Sequence, residues 1–360
     1  GENGSYYERI FITEPVMMGE RCVGAVGFSV RENKFYVFKA KAVLDVMGGA
    51  VHIFRPRSVG EGLGRSWYPP FNSGASTYFT LKSGAEMTCQ EVRFVPVRFK
   101  DSYGPVGAWF LLFKSKATNA KGEDYMETRK DELENWAPYG TAKPTPTNLR
   151  NLLMLKEIEA GNGPIYMKTD EAIQKLVAEF PDEKEARRKM KELESEAWED
   201  FLDMTVSQAL NWASHNIMPE ESPSEISATE PYFISSHSGA SGAWISGPQD
   251  LAPGEHHWGY DNMNTVKGLC AAGDASGASS HKLSSGTFPE GRIAGKAAIA
   301  FCVDHPDPVD ISDEQIAALK QKVLQPLETF EEHRAYANDE DVNPNFIKPK
   351  MFMFRLQKIM

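Results

Sequence analysis

The sequence predicts an α/β fold, and three observations carry that expectation. Val23–Val30 and Phe35–Val43 are apolar, rich in β-formers and joined by the polar Arg31-Glu32-Asn33-Lys34, which is a hairpin pattern. Val266–Ala272 reads as a short buried strand that ends at Gly273-Asp274 and leads through a small-residue loop into a helical pattern reaching Val303. Between these blocks apolar residues recur at helical spacing, in Asn148–Glu159 and again in Met190, Leu193, Ala197 and Phe201.

With 360 residues the chain is long enough for two or more domains and a real core. Its 39 Lys and Arg against 50 Asp and Glu leave a net charge of −11. That argues against a nucleic-acid binder, which needs a basic face. It leaves a small anionic substrate open, since such a ligand needs only local positive potential. No apolar run approaches membrane-spanning length and no signal peptide is present, so a cytoplasmic protein is expected. The chain opens Gly1-Glu2-Asn3-Gly4 without methionine and ends inside the helical pattern Met351–Met360, so a fragment of a longer polypeptide is expected. Cys22, Cys89, Cys270 and Cys302 are far apart with no C-x-x-C, which predicts reduced, mostly buried thiols and no iron–sulfur or zinc site in this chain. His256-His257 have no third ligand spaced with them, so no metal site is expected there.

Taken in order, Ala42–Val46 reads as a buried strand running into Gly48-Gly49, which is either a tight turn or backbone passing close to a nucleotide. Arg55–Trp67 sets Gly60, Gly62 and Gly64 among Arg55, Arg57 and Arg65, as in a loop folded round a ligand or in a solvated basic turn. Its glycines are flanked wrongly for a dinucleotide motif. Glu91–Lys116 then places Arg93, Arg98 and Lys100 among Phe94, Phe99, Tyr103, Trp109, Phe110 and Phe113. Pro96 argues against a central, fully paired strand, and Gly107 is expected to let the backbone pass close to a neighbour. An arginine in apolar surroundings suits an oxyanion, because its planar fork donates two parallel hydrogen bonds where little water competes. A structural cation with a buried stem is the alternative.

Ala137–Pro146 reads as a Pro/Thr linker, Gly161-Asn162-Gly163-Pro164 as a helix stop, and Asp182 with Glu185 as a helix start. Glu220–Thr229 is expected to be a Ser/Pro/Glu loop. His237, inside Ser235–Gly239, sits on a glycine- and serine-rich segment where a ligand could come close, and it is the first functional candidate among the histidines. Ser284, Ser285 and Gly286 precede the helix that follows the Gly273-Asp274 strand. A helix N-terminus offers free N–H groups and a positive dipole end, suited to a pyrophosphate or a flavin carbonyl. An ordinary β-loop-α unit is the alternative. From Asp310 onward the chain is charged and helical, with a polar break over Asp339–Pro349.

Several long stretches have a recognisable wording. RFVPVRFKDSYGPVGAWFLLFKSKATNAKGEDY, FSVRENKFYVFKAKAV, FRPRSVGEGLGRSWY, SSHSG and TVKGLCAAGDASGASSHKLSSG with EGRIAGKAA resemble the alpha subunit of dissimilatory adenylylsulfate reductase. That enzyme is in the fumarate reductase/succinate dehydrogenase flavoprotein superfamily, and the resemblance runs from about Glu8 to Met360. It implies an FAD-binding domain of fumarate reductase type over 1–94 and 233–312. It also implies an inserted α+β capping domain over 95–232 and the start of a helical domain over 313–360. It implies interconversion of adenylylsulfate with sulfite and AMP through a flavin N5–sulfite adduct. Arg98 and His237 would hold the sulfate or sulfite oxygens, and Trp67, Phe94, Gly107, Phe110 and Leu111 would shape the pocket for adenine and ribose. Gly48, Gly49, Gly273, Asp274, Ser284, Ser285 and Gly286 would line FAD. Electrons would come through an iron–sulfur beta subunit carrying two [4Fe–4S] clusters. Asp45 and Met47 depart from the family's usual apolar residue and threonine before the glycine pair. A fumarate reductase or succinate dehydrogenase subunit is the alternative enzyme, though His237-Ser238-Gly239 departs from that family's His-Pro-Thr-type segment. A non-catalytic adaptor keeping the fold is the other.

Overall fold

The computed structural model describes residues 4–49, 74–90, 97–100, 106–111, 113–143, 145–179, 182, 184–185, 188, 210, 212–228, 241–277, 284–334 and 349–359. In chain order the strands are β1 (Ile10–Met18), β2 (Arg21–Ser29), β3 (Phe35–Lys39), β4 (Val43–Asp45), β5 (Met87–Thr88), β6 (Val97–Phe99), β7 (Ala117–Thr118), β8 (Ile165–Met167), β9 (Ser224–Ala228), β10 (Gly242–Ala243) and β11 (Leu269–Ala271). The helices are α1 (Ala75–Lys82), α2 (Gly107–Leu111), α3 (Tyr125–Thr128), α4 (Lys130–Glu134), α5 (Thr147–Glu157), α6 (Thr169–Ala178), α7 (Ser284–Asp304), α8 (Asp313–His333) and α9 (Pro349–Ile359). They divide into two compact units, one holding β1–β5, α1 and everything from β10 on, the other holding β6–β9 and α2–α6.

The first unit begins with the antiparallel sheet β1-β2-β3. The expected hairpin forms, with Gly24 opposite Lys39 and Phe28 opposite Phe35. Val16, Val23 and Val26 form a core closed by Ile311 and by Ile316, Leu319 and Val323 of α8. Polar groups hold α8 there as well. Glu14, buried in β1, accepts from Lys322 of α8 at 2.7 Å and from the Tyr78 hydroxyl of α1 at 2.5 Å. Residues from 313 on were expected to open a helical domain, and Asp313–His333 packs within this first unit.

Beside that sheet lies the parallel pair β4–β11, in register Val43 to Leu269, Leu44 to Cys270 and Asp45 to Ala271. All three β11 residues are buried, as strands of parallel sheets are when helices cover them. Phe301 and Ala298 of α7 pack there with Met263, Cys270 and Leu44. The helix expected after Ser284-Ser285-Gly286 and up to Val303 is found over Ser284–Asp304, so it takes in those three residues as well.

The second unit is the four-stranded sheet β6-β9-β8-β7, antiparallel throughout. Its core joins Phe99, Tyr125, Leu149, Leu153, Met154, Ile165, Met167, Trp212 and Ile226. Phe99 and Trp212 meet edge to face at 5.0 Å. Helix α5 runs into a π-helical turn that reverses at Gly161 with φ 79, where the glycine stop was expected. Two expectations are corrected here. Glu220–Thr229 is not a loop, because Ser224–Ala228 is an inner strand paired on both sides. Ile226 supplies its one large buried side chain and Ser224 satisfies its hydroxyl against Thr169 at 3.1 Å, so a strand this polar carries almost no hydrophobic signal. Gly107 does not bring backbone close to a neighbour: a Cβ there would meet nothing within 4 Å, and the residue opens α2. Pro96 lies outside the described residues; β6, which follows it, is at the edge of the sheet among the described residues.

Candidate functional site

In open parallel sheets ligands sit at the carboxyl ends of the strands. In the first unit β4 and β11 end side by side, tied by the Ala272 N–H donating to the Asp45 carbonyl at 3.1 Å. Beyond each end lies a glycine in the left-handed region, Gly48 with φ 79 and Gly273 with φ 65. Side chains rarely adopt that conformation, which is why glycine stands at both turns. The Gly273 turn is further pinned from α7, for its N–H donates to Glu290 Oε2 at 2.6 Å. The Ser276 hydroxyl lies 3.1 Å from the same oxygen and 2.8 Å from the Gly273 carbonyl. Ser284, Ser285 and Gly286 form the first turn of α7. The structure thus places Gly48, Gly49, Gly273 and Asp274 at the two strand ends and puts the other three at a helix N-terminus in the same unit. Two glycine turns at parallel strand ends and a helix start offer the features a dinucleotide flavin needs: close backbone approach and free N–H groups.

Glu290 escaped the sequence reading. Its signal is the Pro289-Glu290-Gly291 step early in a helix that follows a strand–glycine turn, where a carboxylate can reach back to the turn's N–H groups.

In the second unit Arg98 lies in the edge strand β6 opposite Ser227 and is 2% exposed. Its neighbours Val97 and Phe99 are buried too, whereas Lys100 reaches a surface partner, Glu225, at 2.8 Å. Of the cations described in this stretch, Arg98 is thus buried and Lys100 solvated, which alternation alone does not reveal. Gly107, Phe110 and Leu111 share the short helix α2. The Arg150 guanidinium lies over the Phe110 ring, 3.9 Å from its centroid. Arg150 is itself 6% exposed, and burial holds its pKa below the usual arginine range. A desolvated cation on an aromatic face gains the quadrupole attraction that water would otherwise weaken. Arg150 was missed although the sequence signals it: it lies three, four and seven residues before Leu153, Met154 and Glu157, on the buried face of α5. His237, Trp67 and Phe94 lie outside the described residues, as does the glycine-rich segment over 60–64.

Burial pushes the Cys22 and Cys270 thiols up to about 11 and about 12, so both remain protonated and unreactive at neutral pH. No set of His, Cys, Asp and Glu among the described residues could hold a metal ion, and no described helix is long and apolar enough to cross a membrane.

No protein-family model matches the chain. The fold is of the fumarate reductase flavoprotein type. A quinol-fumarate reductase structure superposes with a TM-score of 0.52 over 89% of this chain and 49% of its own, at 17% identity, a likeness of fold alone. Within that class the chain resembles the alpha subunit of adenylylsulfate reductase. It is 47% identical to adenylylsulfate reductase subunit alpha of Megalodesulfovibrio gigas, over 98% of this chain and 54% of that protein. The solved adenylylsulfate reductase of Archaeoglobus fulgidus is 52% identical with a TM-score of 0.87, over 98% of this chain and 55% of that one. An adenosine-5-phosphosulfate reductase solved in complex with sulfite as a covalent adduct matches with the same figures. The chain spans about half the length of these relatives.

Proposed function

We propose that this chain is part of the alpha subunit of a cytoplasmic, FAD-dependent adenylylsulfate reductase that interconverts adenylylsulfate with sulfite and AMP. FAD would supply the two electrons that reduce the sulfur centre or accept them in reverse. The observation that carries the reading is Arg98, a strand-borne arginine 2% exposed, in a chain about half identical to such reductases. Arg98 and His237 bind the sulfate or sulfite oxygens and stabilise the charge that shifts there as the sulfur–oxygen bond to AMP breaks. Trp67, Phe94, Gly107, Phe110 and Leu111 shape the purine and ribose pocket, and Arg150 keeps the Phe110 ring in place from its other side. Gly48, Gly49, Gly273, Asp274 and the Ser284–Gly286 turn line the cofactor, with Glu290 holding the Gly273 turn. On this reading the first unit is the FAD-binding domain and the second the capping domain. An iron–sulfur beta subunit delivers the electrons.

The test is steady-state turnover of the complete enzyme with a reduced viologen dye as donor. Adenylylsulfate is expected to be reduced with release of AMP, and fumarate is expected to give no turnover above background. Turnover of fumarate without turnover of adenylylsulfate contradicts the proposal.

A further inference from the structure

We infer that Asp45 is a positioning residue for the cofactor turn at Gly48–Gly49. It is a buried carboxylate that locks the end of β4, the backbone of residue 47 and the first turn of α1 into one arrangement. The inference rests on the flavin reading above.

Asp45 is the last residue of β4 and is 3% exposed. Its Oδ1 accepts the Met47 N–H at 3.0 Å, a side-chain turn that begins the chain reversal into left-handed Gly48. Its Oδ2 accepts the Ser76 hydroxyl at 2.8 Å, in the first turn of α1. That helix starts from Gly74 with no side-chain cap of its own and no acidic residue in its first turn, so Asp45 supplies an acceptor at a helix start that has none of its own. The carbonyl of Asp45 takes the Ala272 N–H, so the clamp also reaches the strand that ends at Gly273. One residue thereby touches the ends of both parallel strands and the nearest helix.

The surroundings are apolar. Met47 packs against the cluster of Cys22, Phe79, Ala85, Val266 and Leu269, and burial pushes the Asp45 carboxyl above the usual carboxylate range. A carboxylate there is a cost to the fold that its hydrogen bonds offset only in part. What it gives in return is order in a segment that two adjacent glycines would otherwise leave free, and a preordered turn binds a ligand more tightly than one ordered on binding.

The test uses the complete enzyme, stripped of flavin, with FAD as the probe. Affinity is measured by equilibrium dialysis, and amide exchange is followed over residues 46–49. Asp45→Leu is expected to weaken FAD binding about tenfold, the scale for losing the hydrogen bonds that order a loop, and to speed exchange over 46–49. Asp45→Asn is expected to stay within about threefold of wild type, because an amide oxygen still accepts from Met47 and its NH₂ can donate to Ser76. Ser76→Ala, which leaves Asp45 in place, is expected to weaken binding by less than the leucine change and decides the matter if the leucine variant does not fold. Wild-type affinity in both Asp45→Leu and Ser76→Ala overturns the inference. So does an asparagine variant as weak as the leucine one, or faster exchange spread equally over β1–β3, since either marks a general structural role. A wild-type enzyme that takes up no FAD overturns the flavin reading itself, a result distinct from these.

Discussion

Replacing Arg98 with alanine in the complete enzyme is expected to lower kcat/KM for adenylylsulfate about 30- to 1000-fold, a loss of about 2–4 kcal/mol of transition-state stabilisation. The side chain is 2% exposed in β6, so its charge acts where water does not screen it. A preordered donor in such a site needs no reorganisation when charge develops, which is why removing one is so costly. Lysine at this position recovers only part of the loss, because a point charge lacks the bidentate fork. Steady-state kinetics with circular dichroism as a check on folding measures this. An alanine variant with near wild-type turnover makes Arg98 a structural residue.

Phe301→Ala is expected to destabilise the first unit by about 3–5 kcal/mol, the range for removing a large buried aromatic. Phe301 is 1% exposed on α7, packs with Met263 and Cys270 behind the β4–β11 pair, and meets the Tyr260 ring edge-on at 5.3 Å. The Arg21 guanidinium also lies over its ring, 4.9 Å from the centroid. The cavity cannot close easily, since β11 is held by its pairing with β4 and α7 is anchored through Glu290. Urea unfolding followed by tryptophan fluorescence checks this. A change below about 1 kcal/mol shows that the site repacks and that α7 is not what supports the strand ends.

The elements around the candidate cofactor site are legible in the sequence, because each combines a hydrophobic strand with glycine punctuation. Val43–Asp45 and Leu269–Ala271 announce themselves by apolar β-formers that stop at glycine, and α7 by small residues at helical spacing. Other elements leave weaker traces. Ser224–Ala228 reads as a loop because its partners satisfy its polar groups, and pairing is not a property of the strand's own residues. Gly107 looks like a point of close contact, yet it opens a helix with free space around it. Arg150 and Glu290 do their work through tertiary contacts, over Phe110 and at the Gly273 turn, that spacing can suggest but not pair. Asp45 stands out in the sequence only as an odd residue before two glycines, and its partner Ser76 is 31 positions away.

Sulfite titration of the oxidised holoenzyme, followed in the visible spectrum, tests the central claim most directly. Sulfite is an anionic nucleophile, and it perturbs an oxidised flavin strongly only where nearby positive charge stabilises the negative charge that results. Arg98, His237 and the N-terminal end of α7 are the groups proposed to provide that charge. The expected result is bleaching of the visible flavin band by sulfite, with AMP shifting the concentration required because it fills the neighbouring purine pocket. Succinate and fumarate at similar concentration are expected to leave the band unchanged. A spectrum unmoved by sulfite but perturbed by succinate contradicts the adenylylsulfate reading and favours a dicarboxylate enzyme.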